Sequence, residues 1–242
     1  MIDVKPTSWP HRGAAALMAA LVLSAMALPA LAQAPTADSC GVLSNGEYGP
    51  FDYRKPHHML PGAEKNHFTP KVERLMGGQS QYDPGGDISF LLVMYPNHAR
   101  ALMAMMRLGE KEKTDKTRSA RFEVECYFER ALRFMPDDNV VRMIYVVFLT
   151  KKARPAEALQ QLRRVVDTAG DNVFTRYNAG LLYFDLKEYD KAAEQARAAQ
   201  VGGFLRTDLI DKLKALGKWT EPENAASAPA GAASAAPAAA PS

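Results

Sequence analysis

The stretch Tyr177-Asn178-Ala179-Gly180-Leu181-Leu182-Tyr183, leading into Tyr189-Asp190-Lys191-Ala192-Ala193, decides the fold, because the chain repeats it. One step of roughly 34 residues back from Ala192 lies Ala158, in Arg154-Pro155-Ala156-Glu157-Ala158-Leu159. The apolar, β-branched run 140–150 precedes it. Pro155 suits the first turn of a helix, where its missing N–H costs nothing. Another step back, Phe128-Glu129-Arg130-Ala131-Leu132 precedes the turn Met135-Pro136-Asp137-Asp138, and Tyr95-Pro96-Asn97-His98-Ala99 is a turn of the same kind. The distance from Pro96 to Pro136 exceeds one such step. The surplus falls in 109–119, dense in Lys and Glu, and insertions in repeat arrays map to loops.

The quoted segment resembles a tetratricopeptide repeat, a helix–turn–helix unit. Gly180 matches the family's small residue at the close approach of helix A to its partner, and Tyr183 its aromatic. Tyr189 and Ala192 match the opening of helix B and Ala199 its late small position; Arg176 stands where the family has tryptophan. The resemblance implies an all-α solenoid of about three repeats, 97–138, 139–172 and 173–202. The amphipathic stretch 205–216 reads as the capping helix that solenoid ends need. This register places Leu102, Met105, Met106, Phe128, Tyr145, Leu149, Leu162, Tyr183 and Ala192 between helices. Gly46-Glu47-Tyr48-Gly49-Pro50-Phe51-Asp52-Tyr53-Arg54, with His67-Phe68-Thr69-Pro70 and Pro96-Asn97-His98-Ala99-Arg100, is similar to a group of exported proteobacterial proteins of this family.

The ends read differently. Lys5, His11 and Arg12 form a basic leader, 13–28 carries no charge, and Ala30-Leu31-Ala32 follows the break at Pro29. That is the pattern of an export signal spanning 1–32, so the mature protein is expected in the periplasm with no membrane span. The alternative is an uncleaved signal that anchors the chain in the inner membrane. Residues 221–242, almost entirely Ala, Pro, Ser and Gly toward the end, read as a disordered tail.

Between signal and repeats, 33–96 is an irregular extension rich in Gly, Pro, Tyr and His. Thr69 reads as an N-cap with Pro70 in the first turn, and Asp87 as the cap of a helix over 88–95. So long a loop must be held down. The chain has 2 cysteines, and exported pairs are normally oxidised. A Cys40–Cys126 bond would staple the extension across the first repeat, with Cys126 at an outward-facing position; two separate thiols or pairing between chains are the alternatives.

Composition narrows the function. With 47% hydrophobic and 24% charged residues in 242, the chain is that of a globular protein. A net charge of +3 is too small to argue for nucleic acid. His57, His58, His67 and His98 lack helical ligand spacing, and no Cys-x-x-Cys accompanies them, so neither a metal site nor a cofactor is expected. Met76-Gly77-Gly78-Gln79 and Asp83-Pro84-Gly85-Gly86 lack the lysine of a phosphate loop and read as turns. Asp137-Asp138 reads as the cap of the following helix. No catalytic set is present.

The family resemblance implies instead a concave groove lined by helix A of each repeat. Its positions carry over to Arg100, Met103 and Arg107, to Met143, Val147 and Lys151, and to Tyr177, Asn178, Leu181 and Phe184. Apolar residues among Arg and Lys suit a protein or peptide partner with hydrophobic anchors. The expected function is a non-catalytic interaction module of the cell envelope. The alternative is a periplasmic small-ligand or metal-binding protein using the His and aromatic residues of the extension.

Overall fold

The computed structural model describes residues 40–44 and 46–221. The expected export signal and, Glu221 apart, the expected tail lie outside the described residues. Those described form α-helices and one 3-10 turn, Gly46–Tyr48, with no strand among them. α1 (Leu60–His67), α2 (Pro70–Glu73) and α3 (Pro84–Met94) belong to the extension. Then come α4 (Ala99–Glu112) with α5 (Val124–Phe134), α6 (Asn139–Lys151) with α7 (Pro155–Thr168), and α8 (Val173–Asp185) with α9 (Tyr189–Val201). α10 (Asp208–Ala215) closes the series on α9.

The local chemistry of these pairs recurs with the sequence period. His98, Asp138 and Asn172 each cap a helix, accepting from the N–H of Ala101 (3.2 Å), Val141 (3.1 Å) and Thr175 (2.9 Å). At the far ends of the same helices the backbone turns left-handed at Lys113, Ala153 and Lys187, with φ of 53, 56 and 63°. In both sets the second spacing is one repeat and the first is longer by the same amount, so the insertion lies within the first pair. Arg142 Nη1 donates to Gln161 Oε1 at 2.6 Å, and Arg176 Nη1 to Gln195 Oε1 at 3.1 Å. The same two arginines also donate to the carbonyls of the preceding turns, Pro136 and Gly170.

Packing builds a helix-on-helix array. α4 lies against α6 and α6 against α8, so the first helices of the three pairs form one row. All the residues expected between helices are buried, among them Leu102, Met105, Phe128, Leu149, Leu162 and Ala192. Gly180 permits a close approach of α8 to α9 and α10. A Cβ there would meet Leu209 Cδ2 at 2.7 Å, the Ala192 carbonyl at 3.3 Å and Gln195 Cβ at 3.4 Å.

The extension is tied to this array. Cys40 and Cys126 form a disulfide, and Cys126 is buried beneath the extension instead of facing outward. Beside it the buried Arg130 donates to the carbonyls of Cys40 (3.0 Å) and Val42 (2.6 Å), its guanidinium 4.4 Å from the Phe122 ring. Phe51 N–H donates to the Met94 carbonyl at 2.8 Å. Among the described residues no helix is long and apolar enough to cross a membrane.

Two local expectations are corrected, and a third, Thr69 as N-cap with Pro70 in the first turn, holds in position. Asp87 does not cap a helix over 88–95, because α3 begins a turn earlier behind Asp83. Asp87 is buried within α3 and accepts from the N–H groups of Gln79 (2.6 Å), Ser80 (3.2 Å) and Gln81 (3.0 Å). Thr69 holds the N-cap position of α2, but its hydroxyl makes no capping hydrogen bond. The insertion loop starts later than 109, since α4 continues to Glu112. Gly109 lets the returning chain pack on the helix, as a Cβ there would stand 2.9 Å from Val124 Cγ2.

Two stability changes follow. Replacing both cysteines by serine releases a cross-link spanning 86 residues of chain and lowers stability by about 2–5 kcal/mol, read by urea denaturation against the oxidised protein. Gly180→Val forces its branches into Leu209 and the α9 backbone and costs about 1–3 kcal/mol on the same assay, whereas Gly62→Val, with open space around its Cβ and no left-handed φ, shows no such packing cost.

Candidate functional site

The row α4–α6–α8 exposes one stripe from each helix. Residues three and four apart share a helix face, so Arg100 with Met103, then Val140, Met143, Ile144 and Val147, then Asn178, Leu181, Leu182 and Asp185 form adjacent ridges. Together with Ala99 they line an apolar groove of about 410 Å³. Met103 is 42% and Val140 53% exposed, large values for residues of this kind.

The groove is apolar along its length and charged at its ends. At one end Arg100 grips Glu73 with a fork of two hydrogen bonds, Nε to Oε1 at 3.0 Å and Nη2 to Oε2 at 2.6 Å. That fork holds the Glu73 carboxyl below its ordinary range, against the opposing effect of burial. At the other end stands Asp185, and Asn178 Nδ2 donates to the Phe174 carbonyl within its own helix. The expected groove residues Arg100, Met103, Met143, Val147, Asn178 and Leu181 are therefore brought together.

The remaining ones are not. Arg107 points toward α2, where its Nη2 donates to the Glu73 carbonyl at 3.3 Å. Lys151 crosses to Glu110 of α4, 3.0 Å from Oε1, and lines a separate cavity of about 140 Å³ with Phe148 and Lys152. Tyr177 is buried, its ring 4.6 Å from that of Phe204. Met143, one repeat earlier, stays in the groove; Tyr177 loses that place because the chain leaving the last pair folds over it. Phe184, seven residues on and so on the same helix face, lies 5.4 Å from the Tyr189 ring with Lys212 5.8 Å above it. Sequence reasoning missed Ala99, Val140, Ile144, Leu182 and Asp185, although each lies three or four residues from a residue it did select.

The histidines are engaged by the framework. His57 stacks on Phe51 at 3.8 Å and shares a hydrogen bond of 2.9 Å with the Tyr95 hydroxyl, while His67 Nδ1 lies 2.8 Å from Asp87 Oδ1. Among the described residues no three His, Cys, Asp or Glu side chains cluster as metal ligands. His98, next to the groove rim, is fully buried. Its Nδ1 accepts the capping bond from Ala101, so its proton sits on Nε2 and is donated to Glu64 Oε1 at 3.0 Å. Burial pushes the His98 pKa below its ordinary 6.5, outweighing the pull of Glu64 in the other direction.

The sign of the resulting pH effect is fixed. With a folded pKa below the unfolded 6.5, the unfolded chain binds the proton more readily, so this contribution is full above that value and is lost as pH falls toward the depressed folded value. Protonation also removes the acceptor that caps α4. The denaturation midpoint should fall between about pH 7.5 and 5.5 by more in the native protein than in His98→Asn, which can cap but cannot titrate.

In comparisons with family models, with curated proteins and with solved structures, nothing matches this chain.

Proposed function

We propose that this chain is an exported, non-catalytic interaction module of the tetratricopeptide type, which binds a partner protein or peptide of the cell envelope along the α4–α6–α8 groove. The observation that carries the reading is the groove itself, a largely apolar surface contributed by three successive helices, with Arg100 on the first and Asp185 on the last. Recognition by apolar anchors on an extended or helical partner suits such a surface. The recurrence of caps and left-handed turns at the interval of one repeat supports the repeat type. The disulfide supports export to an oxidising compartment.

Because Met103 and Val140 are exposed, substituting them leaves the core intact. A photo-crosslinking amino acid at position 143, used in the native host, should trap one reproducible partner that the same probe at position 163 on the outside of α7 does not. Met103→Asp together with Val140→Asp should cut that product about tenfold or more while the melting temperature stays unchanged, since each buried carboxylate would cost the complex on the order of 1–3 kcal/mol. Equal products from both probe positions, or an undiminished product in the double variant, would rule the groove out.

A further inference from the structure

A second site lies on the other side of the helix pairs. Between α5, α6 and α7 a cavity of about 260 Å³ is lined by Glu129, Leu132, Arg133, Pro136, Arg142, Gln161 and Arg164. Arg142 is 6% exposed and makes no ion pair with any described carboxylate. Its nearest hydrogen-bond partners are neutral, Gln161 and the Pro136 carbonyl. Burial, helped by the neighbouring Arg164, pushes its pKa down, against the opposing pull of Glu129 and Asp138. The one carboxylate lining the cavity, Glu129, accepts the Tyr145 hydroxyl at 2.9 Å.

The repeat itself separates framework from local addition. The unit of Arg142, Gln161 and the Pro136 carbonyl recurs one repeat later as Arg176, Gln195 and the Gly170 carbonyl, so by itself it is part of the scaffold. The residues around it do not recur. Glu129, Arg133 and Arg164 are matched at the next junction by Arg163, Asp167 and Ala198. Over these positions, among the described residues, the first junction brings together Arg133, Arg142 and Arg164, and the second only Arg163 and Arg176. Arg133 is oriented at the rim by donating its Nη2 to the Gly41 carbonyl at 2.6 Å, beside the disulfide.

We propose that this cavity is a binding site for a phosphate-class oxyanion, with the buried Arg142 at its base and Arg164 and Arg133 at its rim. Planar guanidinium forks match tetrahedral oxyanions in geometry as well as charge. The site lies on the side of the array away from the groove and does not depend on what the groove binds.

The test is calorimetric titration of the purified protein with inorganic phosphate at constant ionic strength, with chloride as the control anion. Arg164 is exposed, so Arg164→Gln spares the fold, and Arg163→Gln makes the same charge change on the same helix outside the cavity. Saturable phosphate binding, weakened about tenfold in Arg164→Gln and unchanged in Arg163→Gln, is the expected result. Sedimentation with phosphatidylglycerol vesicles distinguishes a lipid headgroup from a free ion; vesicle binding that phosphate competes away and Arg164→Gln abolishes supports the same chemistry delivered by a membrane. No saturable response to either probe, or equal loss in both variants, overturns the site.

Discussion

The Asp138 carboxylate holds together the part of the molecule on which everything else rests. One oxygen caps α6 by accepting from Val141 N–H, and the other accepts from Asn97 Nδ2 at 3.0 Å. Asn97 sits in the preceding inter-helix turn and uses its own oxygen to accept from Tyr53 N–H at 2.9 Å. Its Nδ2 also donates to Asp52 at 2.7 Å, and Arg54 bridges Asp52 to Asp137 and Asp138. Burial works to raise the Asp52 carboxyl, but hydrogen bonds from Arg54 and Asn97 outweigh it and hold it at about 2. A buried carboxylate is stable only when its lone pairs are satisfied. Here that requirement fastens two successive turns and the extension to a single point.

Given that anchor, the groove is a geometric consequence. Each helix pair closes its own core with residues such as Leu149, Leu162 and Ala192, and the stacking of α4, α6 and α8 leaves their remaining stripes side by side. The two ends are finished differently. At the first end α2 supplies Glu73 to Arg100, and at the last the 204–210 segment lies over Tyr177 and Gly180. The groove is thereby limited to the middle of the row, where Met103 and Val140 stand exposed.

The extension has little regular structure to stabilise it, and its hold on the repeats is made of a few strong attachments. The disulfide and Arg130 fix 40–42, Phe51 hydrogen-bonds to the last residue of α3 and Tyr53 to the turn after it, and Asp87 gathers three N–H groups of the 79–81 loop. In the sequence Asp87 reads as a cap because an acidic residue before an apolar run has the same appearance in either role. Only the folding back of the 79–81 loop distinguishes a carboxylate that starts a helix from one that receives a loop. α1 escapes a sequence reading for a related reason: its Leu60-Pro61-Gly62-Ala63 opening carries no periodic apolar face, and packing against α3 stabilises it.

The sequence by itself determined the helix pairs, most of their boundaries to within a few residues, and the buried positions, and it favoured the one pairing its two cysteines allow within the chain. The helices and their buried faces depend on local capping and on apolar spacing that returns with each repeat, both properties of neighbouring positions along the chain. Through the family resemblance it also indicated Arg100, Met103, Met143, Val147, Asn178 and Leu181, which line one cavity. It did not determine where the groove stops, that Lys151 turns to Glu110, or that the chain after α9 covers Tyr177. Nor did it show that Arg133, Arg142 and Arg164 share one cavity. Those are contacts between elements far apart in the chain, set by how the pairs stack and by what covers the last one, and only the tertiary structure decides them.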